Sequence, residues 1–213
     1  MIRVRHFRAL GVVGLALALA GCVSLKRTPD ARFFVLRSLA EPPAGVATQG
    51  AAGLVGVLPV VVPGYLERPQ VVSWVAPGEL RIDEFLRWAE PIDAGVSRTL
   101  AENLSALLTE NRIIRSPWPS SAKLRCRVRV ELQRFGPQTN GEVQLEGRWA
   151  LLPAPGERAL VVRPVSLRRG PLVAGKTAPD AGVGVEAMSE LVSDLAKEIA
   201  SAIRELGPPS DEP

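Results

Sequence analysis

The sequence predicts an α/β fold: a single domain with a mixed β-sheet, an antiparallel meander and two long amphipathic helices packed on it. Three observations carry this. Leu124, Cys126, Val128, Val130 and Leu132 alternate with Arg125, Arg127, Arg129, Glu131 and Gln133, the period-two pattern of a half-buried antiparallel strand. Ile92, Val96, Leu100, Leu104, Leu107 and Leu108 recur at helical spacing, as do Val185, Met188, Leu191, Val192, Leu195, Ile199, Ile203 and Leu206. The order is strands, helix, a meander of strands, helix, and one sheet carrying both helices would bury both apolar stripes.

In order, Phe33-Phe34-Val35-Leu36 between Arg32 and Arg37 reads as a first strand. Residues 40–52 are rich in Ala, Gly and Pro without a period, hence a loop. Gly53 to Val62 reads as a strand buried on both faces. Its Gly53 and Gly56 lack the rest of a dinucleotide fingerprint and fit close packing instead. Pro63-Gly64 breaks it, Tyr65-Leu66-Glu67-Arg68-Pro69 turns, and Gln70 to Val75 is the next strand, closed by Pro77-Gly78. Asp83 suits a helix N-cap before a helical turn at Phe85–Ala89, and Pro91 opens the first long helix, with Asp93, Arg98, Glu102 and Asn103 on its polar face. Asn111–Arg115 is a short strand ended by Pro117-Trp118-Pro119. Asn140-Gly141 is a hairpin turn returning through Glu142–Leu152, and Ala159–Leu167 is a third meander strand.

The amino terminus is organised differently. Arg3, Arg5 and Arg8 precede an apolar core from Leu10 to Ala20, and Leu19-Ala20-Gly21-Cys22 closes it. Twelve apolar residues from Ala9 rise only about 18 Å, short of a roughly 30 Å hydrocarbon layer. The small residues before Cys22 suit a peptidase, and the pattern resembles the lipobox of bacterial lipoproteins. That resemblance implies cleavage between Gly21 and Cys22 and acylation of Cys22. Val23 rather than Asp then implies the outer membrane, facing the periplasm, by the sorting rule of enterobacterial lipoproteins. Residues 1–21 are read as the signal peptide, 22–30 as a tether, 31–206 as the folded domain and 207–213 as a disordered tail.

Removing residues 1–21 from 213 leaves 192, with 23 basic residues against 22 acidic. Near-neutrality argues against a nucleic-acid footprint. His6 is the one histidine and leaves with the signal, while acylation of Cys22 leaves Cys126 without a disulfide partner. Triad and His-metal chemistry are therefore out of reach, and the chain implies no cofactor. Two carboxylate pairs, Asp83 with Glu84 and Glu90 with Asp93, are the remaining acid–base possibility, though each also fits a helix start.

Two segments read oddly for packing alone: Pro63-Gly64-Tyr65-Leu66-Glu67-Arg68-Pro69 and Arg87-Trp88-Ala89-Glu90-Pro91. With the lipobox, their order and spacing resemble the ABC-type transport auxiliary lipoproteins, the PqiC (YmbA)-like family, over roughly residues 31–206. The resemblance implies a non-catalytic subunit of an intermembrane lipid transporter, partnered by a membrane protein with MCE (mammalian cell entry) domains. Ring-like MCE partners make a homo-oligomer attractive. An outer-membrane assembly or scaffolding lipoprotein, serving barrel or lipopolysaccharide insertion, is the other non-enzymatic reading.

Tyr65, Leu66 and Arg68, with Arg87 and Glu90, are the candidate partner contacts, an aromatic and guanidinium groups on Pro-stiffened turns. Alternatively Tyr65 and Leu66 plug the sheet end while Arg68 pairs with Glu67 or Glu90, and Arg87 with Glu90. Trp88, three residues after Phe85, reads as core, and Cys126 as a buried thiol. Arg125, Arg127 and Arg129 are either a solvated strand face or a basic stripe toward lipid headgroups.

Overall fold

The computed structural model describes residues 29–39, 53–154, 156–170 and 181–206. The signal peptide, Cys22, most of the tether, the 40–52 loop and the 207–213 tail lie outside them. The chain separates into Met1–Asp30 and Ala31–Pro213, and the second unit is an α/β domain of eight strands and two helices among the described residues. The strands are β1 (Arg32–Phe34), β2 (Leu54–Val57), β3 (Gln70–Ala76), β4 (Glu79–Trp88), β5 (Arg112–Arg115), β6 (Leu124–Pro137), β7 (Val143–Pro153) and β8 (Val161–Arg169). Helix α1 spans Ile92–Leu107 and α2 spans Ala181–Glu205.

The larger sheet runs β5-β2-β6-β7-β8 and is mixed: β2 is parallel to both neighbours, and β6, β7 and β8 form the expected antiparallel meander. Central position explains why Val55, Gly56 and Val57 are all buried. Gly56 is there for space, because a Cβ would stand 3.0 Å from both the Leu124 side chain and the Trp118 ring. Beyond Val57 the regular pairing is interrupted and resumes on β6 at Val61, whose N–H donates to the Val130 carbonyl at 3.0 Å, with the Val60 and Val62 side chains facing the core and that of Val61 solvent. The expectation of burial on both faces therefore holds only for the first half of 53–62.

The meander keeps its period until Gln133, where a bulge shifts the β6–β7 register between Leu132 and Arg134. The inward set consequently moves from Leu132 to Phe135, both buried. The bulge brings the Glu131 carbonyl against Gly147, where a Cβ would approach to 2.2 Å. The hairpin turn is held by Gln138 N–H on the Glu142 carbonyl at 2.7 Å and Glu142 N–H on Asn140 Oδ1 at 2.9 Å.

Both helices cover one face of this sheet, α1 over β5 and α2 over β6, β7 and β8, and they pack on each other. Their stripes, Val96, Leu100 and Leu104 with Leu191, Leu195, Ile199 and Ile203, are fully buried and meet Val128, Val130, Leu145, Trp149 and Leu151 in one core. Among the described residues no helix is long and apolar enough to cross a membrane.

Two expectations are corrected. The strands form two sheets rather than one, since β1, β4 and β3 make a separate three-stranded sheet in the order β1-β4-β3. And Glu79–Trp88 is one continuous strand, so Phe85–Ala89 is not a helical turn and Asp83 caps no helix. Its β-rich Ile82, Phe85, Leu86 and Trp88 find a strand on each side, antiparallel β3 and parallel β1, and that pairing overrides a short helical pattern. Asp83 Oδ1 instead accepts the Phe85 N–H at 3.0 Å.

Asn103 is also corrected, from polar face to full burial. Its Oδ1 accepts from Ser38 Oγ at 3.1 Å and Leu39 N–H at 3.2 Å. Ser97 Oγ accepts the Val60 N–H at 3.0 Å, and Ser189 Oγ accepts the Arg37 N–H at 3.1 Å. Short polar side chains on the helices thus satisfy backbone groups of extended segments that have left their ladders.

Candidate functional site

The two segments singled out in the sequence meet. Pro63 and Gly64 carbonyls accept from Leu66 and Glu67 N–H groups at 2.8 and 3.2 Å, closing a 3-10 turn over Gly64–Leu66. The chain then runs through Arg68 and Pro69, whose carbonyl accepts the Trp88 N–H at 2.6 Å. Ala89 N–H continues to the Phe34 carbonyl at 2.9 Å, and Pro91 starts α1 with its carbonyl accepting Gly95 N–H at 2.9 Å. Between these strands' ends and the helix start lies a cleft of about 420 Å³, lined by Arg68, Pro69, Trp88, Ala89, Glu90 and Pro91 together with Glu67, Ile92 and Asp93.

Each candidate residue has a definite place. Leu66 is 5% exposed and belongs to the core, so its expected role as a direct partner contact is corrected to packing. Tyr65 is half-buried: its hydroxyl donates to the Gln133 carbonyl at 2.8 Å, and its ring meets Trp74 edge-on at 5.6 Å. Burial, above all, raises the Tyr65 phenol above its ordinary value. The bulge at Gln133 supplies the acceptor, so Tyr65 fastens the turn to β6. Trp88 lies in the core as expected, but on a strand.

Among the described residues Arg68 makes no ion pair with Glu67 or Glu90, and its buried Nε has no hydrogen-bond partner. Arg87 takes Glu84, not Glu90, with Nε on the Glu84 carbonyl at 3.1 Å and the carboxylate at 3.9 Å. Glu90 is engaged by Arg98 of α1, whose guanidinium donates to it at 2.6 Å, to Glu102 at 3.1 Å and to the Leu36 carbonyl at 2.8 Å. The hydrogen bond that Arg98 donates to Glu90 is the largest cause of its raised pKa, so this cation stays charged. Sequence reasoning saw Arg98 only as a surface residue. The i,i+4 spacing to Glu102 was a visible signal, but the Glu90 contact needs the turn at Pro91.

The cleft therefore has an apolar floor of Trp88, Ala89 and prolines, a rim of Glu67 and Asp93, and one guanidinium that no described carboxylate engages. Three of the four carboxylates in the two candidate acid–base pairs are engaged structurally: Glu90 by Arg98, Asp83 by Phe85 N–H, and Glu84 by Gln70 Nε2 at 3.2 Å. No group of three or more His, Cys, Asp or Glu side chains among the described residues is placed to hold a metal ion.

The arginines of the β6 stripe all have partners. Arg127 and Arg129 both reach Glu157 at 3.3 Å, and Arg125 donates to the Ile203 carbonyl at 3.1 Å. Arg148 pairs with Glu131, and Glu146 lies 3.6 Å from Arg134 and 3.7 Å from Arg168. Each of these arginines has a partner, but six guanidinium groups share three carboxylates, so the face keeps a positive excess.

Fold and cleft define a class: an α/β domain whose second, smaller sheet meets the start of the first helix at a cleft. The chain belongs to the family of ABC-type transport auxiliary lipoprotein components, matched over residues 34–200. A comparison with curated proteins gives no match. Two crystal structures share the fold. One is of an uncharacterized protein, with a TM-score of 0.65 and 21% identity over 82% of this chain and 99% of that one. The other is protein XCC0632 from Xanthomonas campestris, with a TM-score of 0.66 and 14% identity over 83% of this chain and 97% of that one.

Proposed function

We propose that this protein is a lipid-anchored, periplasm-facing auxiliary subunit of an intermembrane lipid transport system. Its cleft docks a segment of an MCE-domain membrane protein, and acylated Cys22 holds it at the outer membrane. It carries no catalytic step. One observation supports the docking reading above the others: the two segments distinctive in sequence converge on one cleft, where Arg68 has no carboxylate partner among the described residues. Membership of a transport auxiliary family supplies the need for a partner. Arg68 and the Glu67 rim are the contacts expected to matter, with Glu90 acting through the position that Arg98 gives it. Arg87 extends the contact along β4.

The test is a crosslinking pull-down from membranes with the intact lipoprotein, an Arg68→Ala, Glu67→Ala double variant and Tyr65→Phe. The intact protein and Tyr65→Phe should both recover an MCE-domain protein, and the double variant should lose it. Equal recovery by all three removes the cleft from the contact. Recovery of only a barrel-assembly component sinks the transporter reading in favour of a scaffold.

A further inference from the structure

The three-stranded sheet has an outer face that no described residue covers. The β1–β4 register sets Phe33 opposite Arg87 and Phe34 opposite Trp88. Alternation then puts Phe34 and Trp88 on the inner side, packed on the core, and Phe33, Val35 and Phe85 with Arg87 on the other. Phe33 is 64% exposed, Val35 47% and Phe85 36%. Scattered apolar residues at a surface need no explanation, but adjacent ones on a single sheet face do. Arg87, whose Nε donates to the Glu84 carbonyl at 3.1 Å and whose guanidinium lies 3.9 Å from the Glu84 carboxylate, adds a half-exposed cation to the edge of the patch.

We infer that this face rests on the lipid surface in which the Cys22 anchor sits, Phe33 entering the headgroup layer. The inference rests on the reading that Cys22 is acylated. Ten residues lie between Cys22 and Phe33, so the Phe33 backbone lies within about 40 Å of the anchor however the tether is arranged. Tethering over that span gives the patch a high local concentration at the bilayer, so a contact too weak to bind alone becomes populated. The charge is also right. Between Cys22 and Phe33 the chain carries Lys26, Arg27 and Arg32 against Asp30 alone, a balance that anionic headgroups attract. An aromatic ring flanked by cations is the side-chain set that settles at a bilayer interface. A second copy of the chain would gain nothing from that charge, which it would meet on its own tether.

The test uses the full-length lipoprotein reconstituted into vesicles of phosphatidylethanolamine and phosphatidylglycerol. An environment-sensitive fluorophore is placed through Phe33→Cys, through Phe85→Cys on the same face, or through Val162→Cys as a control on β8, where Val162 is 60% exposed. Acylated Cys22 and buried Cys126 leave each new thiol as the labelled one. Labels at 33 and 85 should brighten, shift to the blue and be quenched by spin-labelled lipid, while the label at 162 stays as in buffer. No change at 33 and 85, equal change at all three, or a shift that follows protein concentration at fixed lipid overturns the inference, the last in favour of a second copy. Two positions on the face guard against one variant misfolding. Mass spectrometry of the same sample reads the anchor separately. An acylated protein with unresponsive labels sinks this inference alone, and an unacylated one sinks the anchor reading and the inference with it.

Discussion

The Arg98 guanidinium donates to the Glu90 carboxylate at 2.6 Å and, through the same nitrogen, to the Leu36 carbonyl at 2.8 Å. One side chain of α1 thereby holds both the cleft wall and the chain beyond β1. Arg98→Ala should cost about 2 kcal/mol, since it removes charge-assisted bonds from partly buried acceptors. Glu90→Gln should cost less, about 0.5–1 kcal/mol, because the Leu36 and Glu102 bonds survive. Urea unfolding of the two variants checks the order, and equal losses would contradict it.

Tyr65 is the one tyrosine in the chain, so tyrosinate absorbance reports it alone. Burial raises its folded pKa above the ordinary 10.0. A raised pKa favours the neutral phenol in the folded state, so folding holds the phenol's proton more tightly than the unfolded chain does. Stability linked to this group therefore increases as pH climbs from the ordinary value through the raised one only if the unfolded state binds more protons, and here it binds fewer. The contribution is thus complete below the ordinary value and is lost as pH climbs through the raised one. Native protein should titrate later than urea-unfolded protein. Tyr65→Phe should cost about 1 kcal/mol at neutral pH for the lost bond to Gln133, and its stability should fall less steeply in alkali.

Two glycines should respond in opposite ways. At Gly147 the added methyl meets the Glu131 carbonyl at 2.2 Å and the Leu132 Cα at 2.9 Å, both backbone. Gly147→Ala should therefore cost about 3 kcal/mol, at the upper end for overpacking. Gly64 has nothing within 4 Å of the same position, and Gly64→Ala should be neutral or gain about 0.5 kcal/mol from the unfolded chain. Thermal melts of the pair read the difference directly.

Cys126 lies fully buried in β6, and burial pushes its thiol up from the ordinary 9.0. The native thiol should resist an aromatic disulfide reagent at mildly alkaline pH and react stoichiometrically once denaturant is added. Rapid reaction of the folded protein would place Cys126 at a surface.

Arg68→Ala removes a side chain with no ion pair among the described residues and a buried Nε without a partner. Stability should change by less than about 0.5 kcal/mol, or rise slightly as that desolvated nitrogen is lost. A large destabilisation would make Arg68 a structural residue and weaken its assignment to docking.

The long periodic stretches are legible in the sequence. Alternation over 124–132 and the Asn140-Gly141 turn mark β6 and β7, and the apolar stripes mark α1 and α2, because each repeats enough times for local physics to dominate. Strand β4 is the opposite case. Phe85, Leu86 and Trp88 fit one turn of helix as well as a strand, and only the presence of Phe34 and Gln70 on neighbouring strands decides between them. Asn103 misleads for a related reason. A polar residue on a helix reads as solvent-facing, yet here it completes the backbone of a segment far away in sequence.

Fold class, meander, both helices, family and the segments that line the cleft are all fixed by the chain's own order of residues, since they depend on periodicity, turn chemistry and motif. The division of the strands into two sheets, and the pairing of Glu90 with Arg98, arise only in the folded molecule. Folding likewise withdraws Leu66 into the core while leaving Arg68 without a carboxylate among the described residues. Such choices depend on which distant groups arrive to pair a strand edge or meet a charge, and that competition is settled only when the chain has closed on itself.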